Sequence, residues 1–444
     1  MELSGDVLAP FSTLSTTLSG ESRLDNQAGP FTLEFPDNVA PGLAMSTILI
    51  ISLDTPYPDN YGGTKDIWQR LLLLKRAGHT LHLLACCKDE RRHQIFADHE
   101  RGQAMFASVL VLPTRGLASV LSVYPFGVAS RKLKPTQVAV VAKAFGGIAF
   151  DAVEIEGLQA LLTFQSVRRV IQFKRSYVRA FNRESAYQYN LARAEVKILH
   201  KIVYYLDALK FWFFERYGRW AKVVDAILFI SSDEIGHRNF RRVRRQLLIS
   251  PVFAQVAPKA LADDFASRDN LFLYVGNLRL KDNEMAARMA FQVLRPMLEQ
   301  HHWKFMICGL CDDPSLLADL CQHPLVEAQF NVTPQDLALL YRRSKIFACF
   351  STNQAGVKLK LIEALQMGLP IFANHEAVAG SQLENAVILW RGDPAGVEPM
   401  LEATMQSAKS WQEQRSKGYS QWHELNTASG DNYLQLFAPG LSGG

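Results

Sequence analysis

Residues 47–86 read TILIISLDTPYPDNYGGTKDIWQRLLLLKRAGHTLHLLAC. The run Thr47-Ile48-Leu49-Ile50-Ile51-Ser52 is short, apolar and β-branched, the pattern of a parallel strand buried on both faces. A loop with Pro56, Pro58, Gly62 and Gly63 follows. From Lys65 to Ala77, Ile67, Trp68, Leu71, Leu72 and Leu74 form one apolar face, which predicts a helix. Gly78 stands where a helix ends, and Thr80 to Cys86 is the next strand. Strand, helix and strand within about 40 residues make a βαβ unit with a right-handed crossover.

The same alternation extends outward. Val109–Leu112, Ala152–Ile155 and Ala226–Ile230 read as strands, and Ser185 to Tyr217 as one long helical region. Pro251 and Pro258 bracket a linker. A second series follows it: strands Leu271–Val275, Trp303–Cys308 and Ile346–Phe350, a further strand opening at Pro370–Ala373, and helices Asn283–Leu298, Pro334–Arg343 and Val357–Met367. Lys409 to Phe437 is helical, with Trp411 and Trp422 to pack it against a domain. These elements predict an α/β chain with a domain over 45–250, a second over 251–408, and a C-terminal helix and tail over 409–444 that crosses back to the first. Residues 1–44 are rich in Ser, Thr, Gly, Pro and Asp without periodicity. They read as a disordered leader, or as residues upstream of a true start at Met45.

Composition narrows the function classes. Hydrophobic residues are 48% and charged residues 20% of 444, an ordinary globular balance long enough for more than one core. Lys plus Arg total 48 against 43 Asp plus Glu, a net +5 that is too weak to argue for nucleic acid but suits an anionic ligand or a membrane surface. Six cysteines inside mainly apolar runs fit reduced thiols in a cytoplasmic protein. Ile198 to Phe214 is the most apolar long segment, but His200, Lys201, Asp207 and Lys210 exclude a spanning helix. No basic start precedes an apolar block, so no secretory signal is expected.

Two α/β halves enclose a cleft, and ligands bind beyond the C-terminal ends of parallel strands. The paired Gly62-Gly63 allows close backbone approach, and the helix start offers amides to an anion; a tight turn capped by Thr64 is the alternative, with Asp66 competing against an anion. In Ser351–Pro370, Gly356 opens a helix whose first turn carries Lys358 and Lys360, cations that oppose the helix dipole. An anion between them would relieve the clash. Lys360 and Glu363 are i, i+3 neighbours, which fits a diphosphate and a sugar hydroxyl, or an ordinary surface Lys–Glu pair.

These residues resemble glycosyltransferases of the GT-B fold, two Rossmann-like domains facing a central cleft, of the family-4 type used in bacterial polysaccharide assembly. The resemblance runs from Met45 to the C-terminus. It is carried by Ile48–Gly63, Gly78-His79, Asp151–Glu156, Arg179–Glu184 (similar to an Arg-x-His-Asn-x-Glu segment), Asp225–Glu234, Tyr274–Leu278 with Asn283, and Gly356–Pro370. The resemblance implies that Glu363 holds the ribose of a nucleotide sugar and that Lys360, with Lys358, neutralises its diphosphate. Gly356 and Val357 open that motif. Gly62 and Gly63 would face the donor phosphates, Gly276 and Asn277 would line the donor pocket, and Arg279 or Lys281 would add cationic character. Glu156, Arg179, Asn182 and Glu184 would lie on the acceptor side. The implied reaction moves a sugar, with retention, from a nucleoside diphosphate to a lipid-linked or growing glycan acceptor at the inner membrane face, without a metal or cofactor. Two departures stand out. Ala355 occupies the place of the first of two glutamates eight residues apart, and Phe181 that of the histidine. A non-catalytic partner subunit and a nucleotide-sugar epimerase are the alternatives.

Other segments admit blander readings. Cys308-Gly309-Leu310-Cys311 lacks a second pair for zinc and reads as core, and His301-His302 as exposed. Arg241–Arg245 suits lipid or nucleic-acid phosphates or a solvated helix end. Ile198–Trp220 mixes aromatic and basic residues, which suits a bilayer interface or a buried core helix.

Overall fold

Strand β1 (Thr47–Ser52) lies at the centre of a seven-stranded parallel sheet, flanked by β2 (Thr80–Cys87) and β4 (Ala149–Glu156). Its side chains alternate: Leu49 and Ile51 enter the core on one face, Ile48 and Ile50 that on the other, and all four are fully buried. The computed structural model describes residues 45–59, 62–114, 122–253, 264–393 and 396–438. The expected leader over 1–44, Asn60 and Tyr61 of the proline loop, and Pro258 of the expected linker lie outside them.

The first sheet is completed by β3 (Ser108–Pro113), β5 (Gln172–Ala180), β6 (Ala226–Phe229) and β7 (Arg245–Leu248), in the order β3-β2-β1-β4-β5-β6-β7. The second contains β8 (Asp269–Val275), β9 (Lys304–Gly309), β10 (Val326–Phe330), β11 (Ser344–Cys349), β12 (Ile371–Asn374) and β13 (Ile388–Trp390), in the order β10-β9-β8-β11-β12-β13. All pairings are parallel. Each sheet reverses its strand order once, between β1 and β4 and between β8 and β11, and such a switch point opens a crevice at the strands' C-terminal ends.

The helices that shape the cleft are α1 (Gly62–Arg76), α2 (Glu184–Ala194), α3 (Ile198–Tyr217), α4 (Lys281–His301), α5 (Leu359–Gln366) and α6 (Ala408–Gln435). Three depart from the sequence reading. Helix α1 starts at Gly62, so both glycines and Thr64 lie in its first turn. The long helix expected over 185–217 is two helices, because the Glu195 carboxylate accepts hydrogen bonds from the amides of Val196 (2.8 Å) and Lys197 (2.9 Å) and turns the chain. Helix α5 starts at Leu359, and Lys358 is an extended residue before it.

Helix α6 ties the halves together. At its start, the Trp411 indole donates to the Lys345 carbonyl (2.7 Å) and Arg415 to the Gly368 carbonyl (2.8 Å), both in the second domain. Asn426 exchanges hydrogen bonds with the backbone of Phe253. Beyond it, Tyr433 and Phe437 are buried in the first domain's core, and Ser46 donates to the Phe437 carbonyl at 2.6 Å. Burying Phe437 there is worth about 1.5–3 kcal/mol. Cys308 and Cys311 are buried, and no group of three metal-ligating side chains is found among the described residues.

Candidate active site

The two switch points face each other. On the second domain, the loop from Ser351 to Lys358 is held by hydrogen bonds within itself and to β12 and α4. Ser351 and Asn374 exchange two (3.0 and 2.8 Å), Asn353 donates to Asp282 (2.8 Å), and the Ala355 amide donates to Asn353 (3.1 Å). Gly356 has φ +65°, and a Cβ there would lie 2.0 Å from the Asn182 side-chain oxygen of the other domain. Only glycine permits this approach. Beside it, Gly62 faces Leu359, with room for ordinary contact.

Glu363 projects across this gap to Lys65, with Oε1 2.8 Å from Nζ. Burial alone would lower the Lys65 ammonium, but the Glu363 carboxylate outweighs it and raises the group above its usual range. The i, i+3 pair of Lys360 with Glu363 is therefore not formed. Lys360 turns the other way. Its Nζ lies 4.3 Å from the centroid of the Tyr274 ring and 3.1 Å from the Tyr274 hydroxyl, which itself donates to the Asn283 carbonyl. Lys358 donates to the carbonyls of Ala355 (2.5 Å) and Gly356 (3.3 Å). Neither lysine forms an ion pair among the described residues. Burial pushes both down to about 8, and for Lys358 the neighbouring Lys360 charge adds to the effect. Lys358 also donates to the Asn353 side chain (3.3 Å), so its partners are all neutral. Two cations with no carboxylate paired to them among the described residues, beside the start of α5, gain from an incoming anion.

The first domain contributes a cavity of about 230 Å³ at the β1–β4 switch point, lined by Ser52, Asp54, Gly63, Gln159, Phe181, Asn182, Glu184 and Tyr187 among others. Glu184 opens α2 and is buried. That burial, with the like charges of Glu215, Glu234 and Asp207, outweighs the neighbouring Gln159 amide and pushes its carboxyl up to about 8. A carboxyl raised this far favours its protonated form near neutral pH, in which it can donate a hydrogen bond. Phe181 packs against the cores of both domains.

Other residues singled out from sequence sit elsewhere. Arg179 and Glu156 are fully buried in an ion network. Arg179 grips Asp66 through two bonds of 3.1 Å. Arg70 reaches Glu154, Glu156 (2.7 Å) and Asp66 (3.1 Å), and the Tyr433 hydroxyl of α6 donates to Glu154. Burial and the charges of Glu154 and Asp66 outweigh Arg70 and push the Glu156 carboxyl up to about 8. Asp66 is thus occupied internally and does not repel an anion at α1. Arg279 pairs with Asp312 (2.7 Å) and Lys281 with Glu284 (2.8 Å), all but Glu284 well exposed. Gly276 and Asn277 follow β8: the Gly276 amide donates to Cys308 O, and Asn277 O accepts from Asn283. The sequence reading missed Lys65, Tyr274, Gln159 and Tyr187. Lys65, three residues after Gly62 in a helix start, and Tyr274, which opens the Tyr274–Leu278 segment, carried a local signal.

Comparison with known proteins gives this geometry a context. Residues 269–399 match the family model described as glycosyl transferases group 1. A Klebsiella pneumoniae protein, described as an uncharacterized 44.6 kDa protein in the cps region, is 25% identical over 333 residues, covering 72% of this chain and 81% of its own. Among solved structures, sucrose-phosphate synthase from Thermosynechococcus elongatus matches with a TM-score of 0.59 at 14% identity, over 89% of this chain and 99% of that one. Anabaena HepE in complex with UDP and glucose matches with 0.54 at 12%, over 87% and 99%. The catalytic domain of starch synthase IV from Arabidopsis thaliana bound to ADP and acarbose matches with 0.53 at 10%, over 87% and 100%. At these identities the likeness shows the fold, which is GT-B: two parallel-sheet α/β domains about one cleft.

Proposed function

We propose that this chain, which joins a GT-B fold to a donor domain of the group 1 glycosyl transferase type, moves a sugar from a nucleoside diphosphate to a lipid-linked or growing glycan acceptor. The observation that carries this is the cluster at α5: two lysines that have no ion-pair partner among the described residues, the helix start, and Glu363 at the lip of the cleft. The ribose of the donor would displace Lys65 from Glu363, and the diphosphate would take Lys358, Lys360 and the amides of Gly62 and Gly63. The neighbours named with UDP and with ADP support a nucleotide in this cleft, and the relative named for the cps region supports a role in polysaccharide assembly.

In the reaction an acceptor oxygen bonds to the anomeric carbon as the bond from that carbon to the phosphate oxygen breaks. Negative charge grows on the departing diphosphate, where preorganised lysines and amides lower the barrier most. The lysines provide this without a metal. The acceptor proton passes to the leaving phosphate oxygen, on the same face of the sugar, which gives retention. Glu184, whose burial favours its protonated form near neutral pH, would orient the acceptor hydroxyl rather than deprotonate it. Glu184→Gln, which preserves shape and donor capacity, is expected to keep turnover at pH 7 within about threefold; a fall of about 10²–10⁴-fold would mark Glu184 as a general base and contradict this assignment.

Ala355 and Phe181, which depart from the family pattern, favour a second reading as a non-catalytic partner subunit. A thermal-shift screen across uridine, guanosine, thymidine and adenosine diphosphate sugars, followed by turnover with glycan acceptors, separates the readings. Stabilisation by one nucleotide class with transfer supports the enzyme. A sugar altered without any acceptor supports an epimerase, and no stabilisation by any nucleotide sugar rejects both enzymes and favours the subunit.

A further inference from the structure

Helix α3 is neither a core helix nor a spanning one. At about 100° per residue, Ile198, Leu209, Ile202, Phe213, Leu206 and Leu199 fall in that order within an arc of roughly 100°. All six are exposed, between 49% and 66%. The opposite side, with Ala208, Phe211, Phe214 and Glu215, is buried. A bare apolar stripe this long on a 20-residue helix is an interaction surface.

Its charges identify the partner. Both acidic residues of the helix are consumed by the protein: Asp207 accepts the Phe126 amide (2.8 Å), and Glu215 accepts from Ser185 and Asn239. Instead Lys201 and Arg216 lie along the edge of the stripe marked by Ile198. At its C-terminal end the exposed Arg241, Arg242, Arg244 and Arg245 follow one another, with Arg242 5.2 Å over the Tyr217 ring and Arg216 5.6 Å over the Trp212 ring. Apolar residues along one face, aromatic rings at its end and cations around it match a bilayer of anionic lipids, into which such a helix beds parallel to the surface. No helix among the described residues is long and apolar enough to cross a membrane.

We propose that α3 and the Arg241–Arg245 segment dock this protein on an anionic membrane surface. Helix α3 packs antiparallel to α2, which begins at Glu184 in the cavity and presents Tyr187 to it. The docked hairpin therefore leads from the bilayer to the acceptor cavity. This last step, delivery of a lipid-linked acceptor, rests on the function proposed above, whereas the docking does not.

The test is co-sedimentation of the full chain with vesicles of phosphatidylcholine alone and of phosphatidylcholine mixed with phosphatidylglycerol. Binding to the mixed vesicles, weakened by salt, is expected. Leu206→Glu with Leu209→Glu changes only exposed positions and is expected to weaken it about tenfold or more. Arg241→Ser with Arg242→Ser is expected to weaken it roughly fivefold per arginine and to flatten the salt dependence. Thermal unfolding and nucleotide-sugar shifts of both variants should match the parent chain, which separates loss of docking from loss of fold or of donor binding. Three results overturn the proposal: no binding to mixed vesicles, equal binding by the Leu206/Leu209 variant, or a dimer in light scattering that this variant converts to monomer.

Discussion

Arg70→Met is expected to lower the stability of this protein by about 3–5 kcal/mol, the cost of leaving buried carboxylates without their cation. Arg70 is fully buried and joins three elements: Asp66 on its own helix, Glu154 and Glu156 on β4, and Tyr433 on α6, whose ring lies 5.3 Å from its guanidinium carbon. Removing it unbalances the charges of this network and loosens the end of α6 from the first domain. Methionine fills the volume, so the loss reports charge rather than a void. Urea unfolding followed by circular dichroism reads it as a lowered midpoint. Tyr433→Phe, which removes one hydroxyl, is expected to cost about 1 kcal/mol. An unchanged midpoint for Arg70→Met would mean that the network carries no net stability.

The second large effect is on binding. Glu363→Gln is expected to weaken nucleotide-sugar affinity by about 1.5–3 kcal/mol, roughly ten- to 150-fold, through loss of a charge-assisted hydrogen bond to the ribose. Stability should hardly change. The Lys65–Glu363 pair is partly exposed on both sides, and such pairs contribute about 1 kcal/mol or less. A large loss of affinity with little loss of stability is what separates a ligand-binding carboxylate from an interdomain latch. Unchanged calorimetric affinity for the best donor would reject the assignment of Glu363.

Much of the scaffold was legible because parallel strands buried on both faces must be apolar. β1, β2, β8, β9 and β11 announce themselves as continuous runs. β5 does not, because it begins Gln172-Phe173-Lys174-Arg175 and only its second half is buried. The edge strands β7, β10 and β13 are short or alternate with polar residues, so no apolar run betrays them. The break between α2 and α3 rests on one carboxylate turned onto two amides, which periodicity cannot register.

At the site, short-range patterns were legible and long-range pairings were not. Gly356, Lys358 and Lys360 cluster within one loop and helix start, so spacing alone brought them together. The partner of Glu363 is 298 residues away, whereas spacing pointed to Lys360. Glu156 and Arg179 look like site residues because they end strands at the cleft; only the structure shows that Arg70 and Asp66 turn them inward. The interleaved charges of α3 suggested either a bilayer interface or a core helix; its exposed apolar stripe rules out a wholly buried helix.

The most direct test of the donor site is a calorimetric titration of the parent chain and Lys360→Met with the preferred nucleoside diphosphate between pH 7 and pH 9.5. Lys358 and Lys360 lose their protons near pH 8 in the free protein, and a bound diphosphate favours their charged forms. Binding should therefore take up protons near pH 8, and affinity should fall as pH rises, by roughly tenfold per unit for each lysine that must be charged. Lys360→Met should bind weakly throughout, with a shallower slope. Affinity that is independent of pH and untouched by Lys360→Met would contradict the account.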